Sequence, residues 1–185
     1  MSLLAVDPGL RACGCAIFRD ERLIAAGFPA GAPRSSLTER LKGTADPDAL
    51  DMQRPTERAE IFLSMARAVA LWAESYGPIT DLAIEMPRVY PRGSQREEKR
   101  GADPNDLIHL TAVVGAICTA FAGAETHVYL PFEWKGQLPK KIHHERARAR
   151  LTLEELATIP KLAASKLHNV MDGVALGLHH VGRLR

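Results

Sequence analysis

The stretch LLAVDPGLRACGCAIF, residues 3–18, is the most informative part of the sequence about the fold. It runs from an apolar strand into a charged residue and a tight turn. Residues 3–6 are apolar without alternation, which is typical of a central strand covered on both faces. Asp7 then precedes a Pro-Gly turn. A carboxylate at the end of a buried strand is costly unless a partner compensates its charge. Asp7 is therefore either a turn cap or a residue that holds a cation or a substrate.

The composition sets the class of protein. The chain has 185 residues, of which 46% are hydrophobic and 25% charged, and these values predict one globular domain over residues 1–185. The formal net charge is only +2, so affinity for nucleic acid must come from local basic clusters. The three cysteines lack metal-binding spacing and indicate reduced thiols. Without a signal-peptide pattern or a long apolar run, we expect a soluble cytoplasmic protein.

Strands and helices are predicted from apolar periodicity and from the turn residues that separate the periodic segments. The predicted strands cover residues 3–6, 13–18, 22–28, 82–84 and 127–130. The predicted helices cover residues 56–76, 104–121, a basic segment ending near 151, and 164–182, with a short segment at 152–158. Two long connections are predicted, a proline-rich one at 29–55 and a basic loop at 87–103. This order predicts an α/β fold with a five-stranded mixed sheet flanked by helices.

Two further acids follow the same logic as Asp7. The predicted strand 82–84 ends in Glu85, and the last helix carries Asp172 at the margin of its apolar stripe, with His168 and Asn169 beside it. If that helix packs by the strand ends, the three acids converge. Converging carboxylates need a counter-cation, and Mg²⁺ or Mn²⁺ prefers oxygen ligands. Two such ions about 3.5–4 Å apart can activate a water for phosphodiester cleavage.

The segments LLAVDPGLRACGCAIF, LAIEMP and HNVMDGVALGL resemble the three acidic motifs of RuvC-type Holliday junction resolvases, of the ribonuclease H-like (retroviral integrase) superfamily. The order, spacing and flanking residues fit, and the resemblance runs nearly the whole chain. The segment PFEWKGQLPKK, with the basic helix behind it, resembles the phage-type branch more than the housekeeping bacterial branch. The resemblance implies a ribonuclease H-like fold and a magnesium-dependent endonuclease that resolves four-way junctions by paired phosphodiester hydrolysis. It implies 5′-phosphate and 3′-hydroxyl ends.

The resemblance also implies the site residues. Asp7, Glu85 and Asp172 would be metal-binding catalytic residues, with two Mg²⁺ ions per site, replaceable by Mn²⁺. The family places an acid or a histidine three positions before the last acid, where this chain has Asn169. We predict that His168, one residue earlier, contributes as a ligand or general acid, with Asn169 a weaker neutral substitute; which of the two acts stays open.

The partners implied are branched DNA and a second copy of the chain. The apolar helix predicted at 104–121 is a candidate homodimer surface. The setting implied is a bacterial or phage-infected host cell.

Two basic clusters are predicted to contact the DNA backbone. The residues are Arg88, Arg92, Arg96, Lys99 and Arg100 in the basic loop, and Lys135, Lys140 and Lys141 before and in the basic helix. Trp134 either packs locally or stacks on an unpaired base. The pairs at 143–144 and 179–180 are histidines without partner acids at ligand spacing, so both pairs are predicted to be solvated.

Three other functions fit parts of the pattern. A broader branched-DNA nuclease of phage genome processing would cut forks and flaps as readily as junctions. A non-catalytic junction-binding protein would follow from the missing fourth acid. An actin-like or sugar-kinase-like nucleotide-binding protein also carries D-x-G after its first strand, but such proteins need two lobes and this chain supplies one.

Overall fold

A computed structural model describes residues 1–31, 55–88, 104–136 and 138–184. The strands are β1 (Ser2–Asp7), β2 (Gly14–Arg19), β3 (Arg22–Gly27), β4 (Asp81–Glu85) and β5 (Glu125–Tyr129). The helices are α1 (Pro55–Glu74), α2 (Pro104–Ala120), α3 (Pro131–Trp134), α4 (Lys140–Arg148), α5 (Leu153–Ala157) and α6 (Ala164–His180). Most of the predicted connection 29–55 and of the predicted basic loop 87–103 lies outside the described residues.

The sheet confirms the predicted mixed topology. Its strand order is β3-β2-β1-β4-β5. The strands β1, β2 and β3 form an antiparallel meander, whereas β4 pairs in parallel with both β1 and β5. The central position of β1 explains why residues 3–6 are apolar without alternation, because both faces of this strand are covered.

Helices cover the two faces of the sheet. Leu3 and Ala5 of β1 belong to an apolar core that contains the inner face of α6. Leu4 and Val6 belong to a second core on the other face, with α1 and α2. Because successive side chains of a strand point to opposite faces, this alternation assigns every odd-numbered residue of β1 to the α6 face.

The segment after β5 contains a short helix around Trp134, where the sequence predicts a loop, before the predicted basic helix. It forms the one-turn helix α3, then α4, because Gly136 adopts a left-handed φ of 59° and ends the first turn. The predicted short segment 152–158 contains α5, whose first turn is closed by the reciprocal hydrogen bonds of Thr152 and Glu155.

The layer formed by α1 and α2 is buried on one side only. Val113 and Ile117 are fully buried, whereas Leu63, Leu71 and Ile108 expose their side chains. Within the described ranges, none of the helices combines the length and the apolarity needed to cross a membrane.

Candidate active site

Asp7 and Glu85 end two neighbouring parallel strands on the same face of the sheet. Val6 pairs with Ile84, so the next residue of each strand is an acid. Ala83, two residues before Glu85, belongs to the α6-side core, as does Ala5 before Asp7. The two-residue repeat of a strand therefore directs both carboxylates toward α6.

A close backbone contact brings α6 to these strand ends. Gly14 of β2 pairs with Asp7, and a Cβ atom at Gly14 would lie 1.8 Å from the carbonyl oxygen of Asn169. A Cβ atom at Gly173 would lie 2.5 Å from the carbonyl oxygen of Gly14. Only glycine permits this approach at both positions. The contact brings Asp172, which is buried, to the end of β1.

Lys135 reaches the site from the end of α3. Glu85 pairs with Tyr129, the last residue of β5, so α3 begins beside the strand-end acid. Pro131 occupies the first turn of this helix, and the Glu133 carboxylate accepts a hydrogen bond from the backbone N–H of Leu130. As a result, Lys135 Nζ lies 2.8 Å from Glu85 Oε2.

The helix α4 contributes two partners to Asp172. Lys140 Nζ lies 2.6 Å from Asp172 Oδ2, and His144 Nε2 lies 2.8 Å from Asp172 Oδ1. The predicted solvation of the pair at 143–144 is therefore wrong. His143 is buried with its ring 5.3 Å from that of Trp134, and burial lowers the pKa of His143 to about 4.

The two strand-end carboxylates resist ionisation. Burial raises the pKa of Asp7 well above its ordinary value, and the charges of Glu85 and Asp172 add to that effect while Lys135 opposes it. Burial also raises the pKa of Glu85, again against the charge of Lys135. Desolvation and nearby like charges both disfavour a carboxylate anion. These two acids therefore occupy a site that is short of positive charge.

The pKa of Asp172 is shifted in the opposite direction, below its ordinary value. Burial opposes its ionisation, yet the hydrogen bond from His144 and the positive charges of Lys135 and Lys140 hold the pKa of Asp172 below its ordinary value. Burial also acts to lower the pKa of Lys135, but the charges of the three acids outweigh it and raise that pKa. One ammonium group thus interacts with all three predicted acids, so the fold brings them together.

The donor set fits hard divalent cations, which prefer carboxylate oxygens. Glu85 Oε2 is buried and, among the described residues, has no hydrogen bond of good geometry despite the nearby ammonium, so it retains a lone pair for a metal. In the described chain the donor oxygens of the three acids do not all lie within 4.8 Å of one another. In this arrangement the three acids do not all share one ion, and the prediction of two Mg²⁺ ions stays a prediction.

The predicted fourth residue occupies a different place. His168 Nδ1 lies 3.3 Å from the carbonyl oxygen of Ala164, one turn earlier in α6, and its role at the site stays a prediction. Asn169 meets the backbone of Gly14 through its carbonyl group. The histidine that contacts Asp172 is His144, which comes from another helix. The sequence offered a weak signal for it, because His144 shares a helical face with Lys140.

Of the predicted DNA-contacting residues, Lys135 contacts Glu85 and Lys140 contacts Asp172, and the other six divide into three groups. Arg88 lies 5.1 Å from the ring centre of Phe132, a half-exposed residue of α3 beside the site. Lys141 is exposed on α4. The residues Arg92, Arg96, Lys99 and Arg100 lie outside the described part of the chain.

Trp134 packs locally, the first of the two alternatives for this residue. It is 5% exposed, and Lys135 Nζ lies 4.3 Å from the centre of its ring. This cation–π contact holds the ammonium over the site. Burial leaves no open ring face for a base.

Two solved structures of RuvC align with the whole chain. One is T. thermophilus RuvC in complex with a Holliday junction substrate, which shares 16% identity, covers 100% of this chain and 99% of its own, and gives a TM-score of 0.60. The other is a Thermus thermophilus RuvC structure with 15% identity, the same coverage and a TM-score of 0.56. Neither family models nor curated protein sequences match the chain. The RuvC-type, ribonuclease H-like fold predicted from the three motifs is therefore confirmed.

Proposed function

We propose that this chain is a metal-dependent endonuclease that resolves four-way DNA junctions by paired phosphodiester hydrolysis. The observation that carries the proposal is the meeting of Asp7, Glu85 and Asp172 on the α6 face, at the ends of two parallel strands. The likeness of fold to a RuvC bound to a Holliday junction supports the choice of branched DNA as substrate.

The three acids are the proposed ligands of two magnesium ions, which activate a water and stabilise the leaving oxygen in phosphodiester cleavage. Asp7 would hold metal together with Glu85 and Asp172, since the charges of both other acids act on it. The attacking water oxygen bonds to phosphorus and gives up a proton to solvent, while the bond from phosphorus to the 3′ oxygen breaks and that oxygen takes up a proton. The products are a 5′-phosphate and a 3′-hydroxyl.

Three cationic or hydrogen-bonding residues support the acids. His144 is a positioning residue, since its hydrogen bond fixes the orientation of the Asp172 carboxylate. Lys140 is 52% exposed and can turn from Asp172 to a phosphate. Lys135 is held by Trp134 and remains near the strand ends. The positive charge of the two lysines offsets part of the repulsion between the acids and the DNA backbone.

Arg88 and Lys141 are proposed to bind flanking phosphates. Arg88 starts the predicted basic loop, three residues after Glu85, and lies over Phe132. A cation beside the cleavage site positions the strand without reading its sequence. Removing either side chain should weaken binding to junctions of every sequence by a similar factor.

Paired nicks need two active sites, so we propose a homodimer. The outer face of α1 and α2 exposes three large apolar residues, Leu63, Leu71 and Ile108, at 52%, 68% and 66%. Exposed apolar groups of this kind mark interaction surfaces when they lie together. Light scattering should give about twice the chain mass of 20.2 kDa, and Leu71→Glu should shift the protein toward the monomer while it remains folded.

The decisive experiment uses a labelled four-way junction, a three-armed fork and a linear duplex, each with Mg²⁺, Mn²⁺ or EDTA. Paired nicks near the branch point, dependent on metal and absent from the duplex, are the expected result. Equal cleavage of the fork would favour the broader branched-DNA nuclease. Tight binding to the junction without cleavage in either metal would contradict the proposal and identify a junction-binding protein. Thermal stabilisation by ATP without cleavage would favour the nucleotide-binding alternative.

A further inference from the structure

A second group of ligand-type side chains lies on the α6 face, away from the three acids. In the described chain, Asp81, His127 and His180 each offer one ligand atom, and these atoms all lie within 4.8 Å of one another. They come from the start of β4, the middle of β5 and the last turn of α6. The histidine pair at 179–180 was predicted to be solvated, and that prediction is wrong for His180, which is partly buried in this group.

The location follows from the register of the sheet. Asp81 and Glu85 are both odd-numbered residues of β4 and occupy its two ends, so they share the α6 face. His127 pairs with Ala83 on the neighbouring strand and lies on that face too. At about 3.3 Å per residue, the four-residue step from Asp81 to Glu85 spans about 13 Å, so this group is separate from the proposed nuclease site.

We propose that Asp81, His127 and His180 form a binding site for a divalent transition-metal ion such as Zn²⁺. Two imidazole nitrogens with one carboxylate and an open position are a recurring zinc ligand set. Imidazole nitrogen selects first-row transition metals over Mg²⁺, which prefers oxygen. The site would thus take a different metal from the three acids at the other end of the strand.

The local contacts arrange these ligands. His127 Nε2 lies 4.0 Å from Asp81 Oδ1, and the rings of His127 and His180 are 4.6 Å apart between centres. Their side chains are too far apart for direct hydrogen bonds between the ring nitrogen and the carboxylate but close enough to surround an ion. Side-chain exposures of 31% for His127 and 17% for Asp81 leave an entry path for the ion.

Tyr129 provides the outer contact that metal-binding histidines usually have. Its hydroxyl lies 2.9 Å from His180 Nδ1. With Nδ1 engaged in that hydrogen bond, Nε2 is the ring nitrogen available for a metal.

The bound ion would connect β4, β5 and the end of α6. Asp172 lies on the same helix, eight residues before His180, so a metal here would fix the helix that carries one of the nuclease acids. The expected consequence is a rise in the melting temperature with Zn²⁺, because an ion that binds only the folded chain stabilises it.

The test is zinc binding by the EDTA-treated full chain, measured by competition with a chromophoric chelator, and cobalt binding, measured by visible absorption. All measurements are made in an Asp172→Asn background, which weakens the acidic site as a competing ligand set. We expect one ion per chain. His127→Gln and His180→Gln should each reduce the affinity at least tenfold, and Tyr129→Phe should reduce it about tenfold. His109→Gln, in α2 on the opposite face of the sheet, is the matched control and should leave the affinity unchanged.

The failure outcomes are distinct. Absence of zinc binding in the Asp172→Asn background, or binding that His127→Gln and His180→Gln do not change, would overturn the proposal. Circular dichroism of each variant shows whether a loss of binding reflects unfolding, and the two histidine variants test the same site independently. Because DNA cleavage is not the readout, the result stands apart from that of the junction assay.

Discussion

Two carboxylates of this protein, the partly buried Asp7 and the buried Glu155, have opposite electrostatic settings. Burial and the neighbouring acids raise the pKa of Asp7. By contrast, the hydrogen bonds from Arg183 lead the effects that lower the pKa of Glu155 to about 2, against the opposing effect of burial. Burial opposes the ionisation of both acids, yet their pKa values shift in opposite directions. Burial alone therefore does not determine whether each carboxyl is charged; the neighbouring charges and hydrogen-bond donors determine it.

The Glu155 site is saturated with donors. Arg183 Nη1 lies 2.6 Å from Oε1 and Nη2 lies 2.8 Å from Oε2, while the backbone N–H groups of Leu23 and Thr152 donate at 2.9 Å and 2.8 Å. The same guanidinium donates to the carbonyl oxygens of Glu21 and Arg150. This bidentate pair joins β3, α5 and the residues after α6, and it has a structural role.

The nuclease candidate lacks such saturation. Three acids there share Lys135, Lys140 and His144. A site that binds a divalent cation needs carboxylates whose negative charge is not fully neutralised by protein groups. In a structural ion pair, by contrast, protein donors bind the carboxylate oxygens. This difference distinguishes a metal-binding site from a structural ion pair in one molecule, and substitutions at the two sites should have different effects.

Asp7→Asn should reduce junction cleavage about a thousandfold, because losing several kcal/mol of metal-dependent stabilisation costs about three powers of ten in rate. Binding to the junction in EDTA should be largely unchanged. The measurements are single-turnover cleavage and a binding titration. The control is Asp20→Asn, an exposed acid at the turn between β2 and β3. A parallel loss of junction binding would argue against a purely catalytic role.

The same Asp7→Asn variant should melt at an equal or higher temperature than the parent at neutral pH in EDTA. A carboxyl whose pKa is raised on folding contributes stability below its unfolded pKa and loses it as pH rises, and asparagine removes that loss. The difference between the two proteins should shrink below about pH 4, where the acid is protonated in both states.

Arg183→Leu should lower the free energy of unfolding by about 3 kcal/mol, because it leaves the Glu155 carboxylate buried without its cation. Urea unfolding measures the change. Arg150→Leu, which removes an exposed side chain just after α4, should change stability by less than about 0.5 kcal/mol. Equal effects of the two substitutions would show that the Arg183–Glu155 ion pair does not stabilise the fold.

Gly14→Ala should destabilise the fold by about 2 kcal/mol, since the new methyl group would meet the carbonyl of Asn169 and push α6 from the sheet. Cleavage at temperatures where the variant is folded should also fall, because Asp172 moves with α6. Gly115→Ala is the control: no atom lies within 4 Å of a Cβ there, and alanine in mid-helix should stabilise by up to about 1 kcal/mol. Normal cleavage by folded Gly14→Ala would contradict the positioning argument.

Acid should weaken the Glu155 pair in a defined range. With a folded pKa of about 2 and an unfolded value near 4.3, the contribution of Glu155 is fully present above about pH 4.3 and is lost as pH falls toward 2. The slope from this group is at most about 1.4 kcal/mol per pH unit. Glu155→Gln should flatten the stability curve in that range. An unchanged slope would refute the assignment.

The sheet and the positions of the three acids can be predicted from the sequence alone. The unbroken apolar run at 3–6 required a strand covered on both faces, and the acids at the ends of the two parallel strands follow from strand length and the two-residue repeat. The position of Asp172 followed from the apolar stripe of α6. These features repeat along the chain at short range, so they can be read without knowing which elements meet.

The partners of those acids can be identified only from the tertiary structure. His144 rather than His168 contacts Asp172, Lys135 reaches Glu85, and Arg183 pairs with Glu155. The group of Asp81, His127 and His180 is of the same kind, because its members are far apart in sequence. Such pairs depend on strand register and on the close approach of α6 at Gly14 and Gly173. Neither depends on a local pattern, so the sequence signals at most that Lys140 and His144 share a helical face.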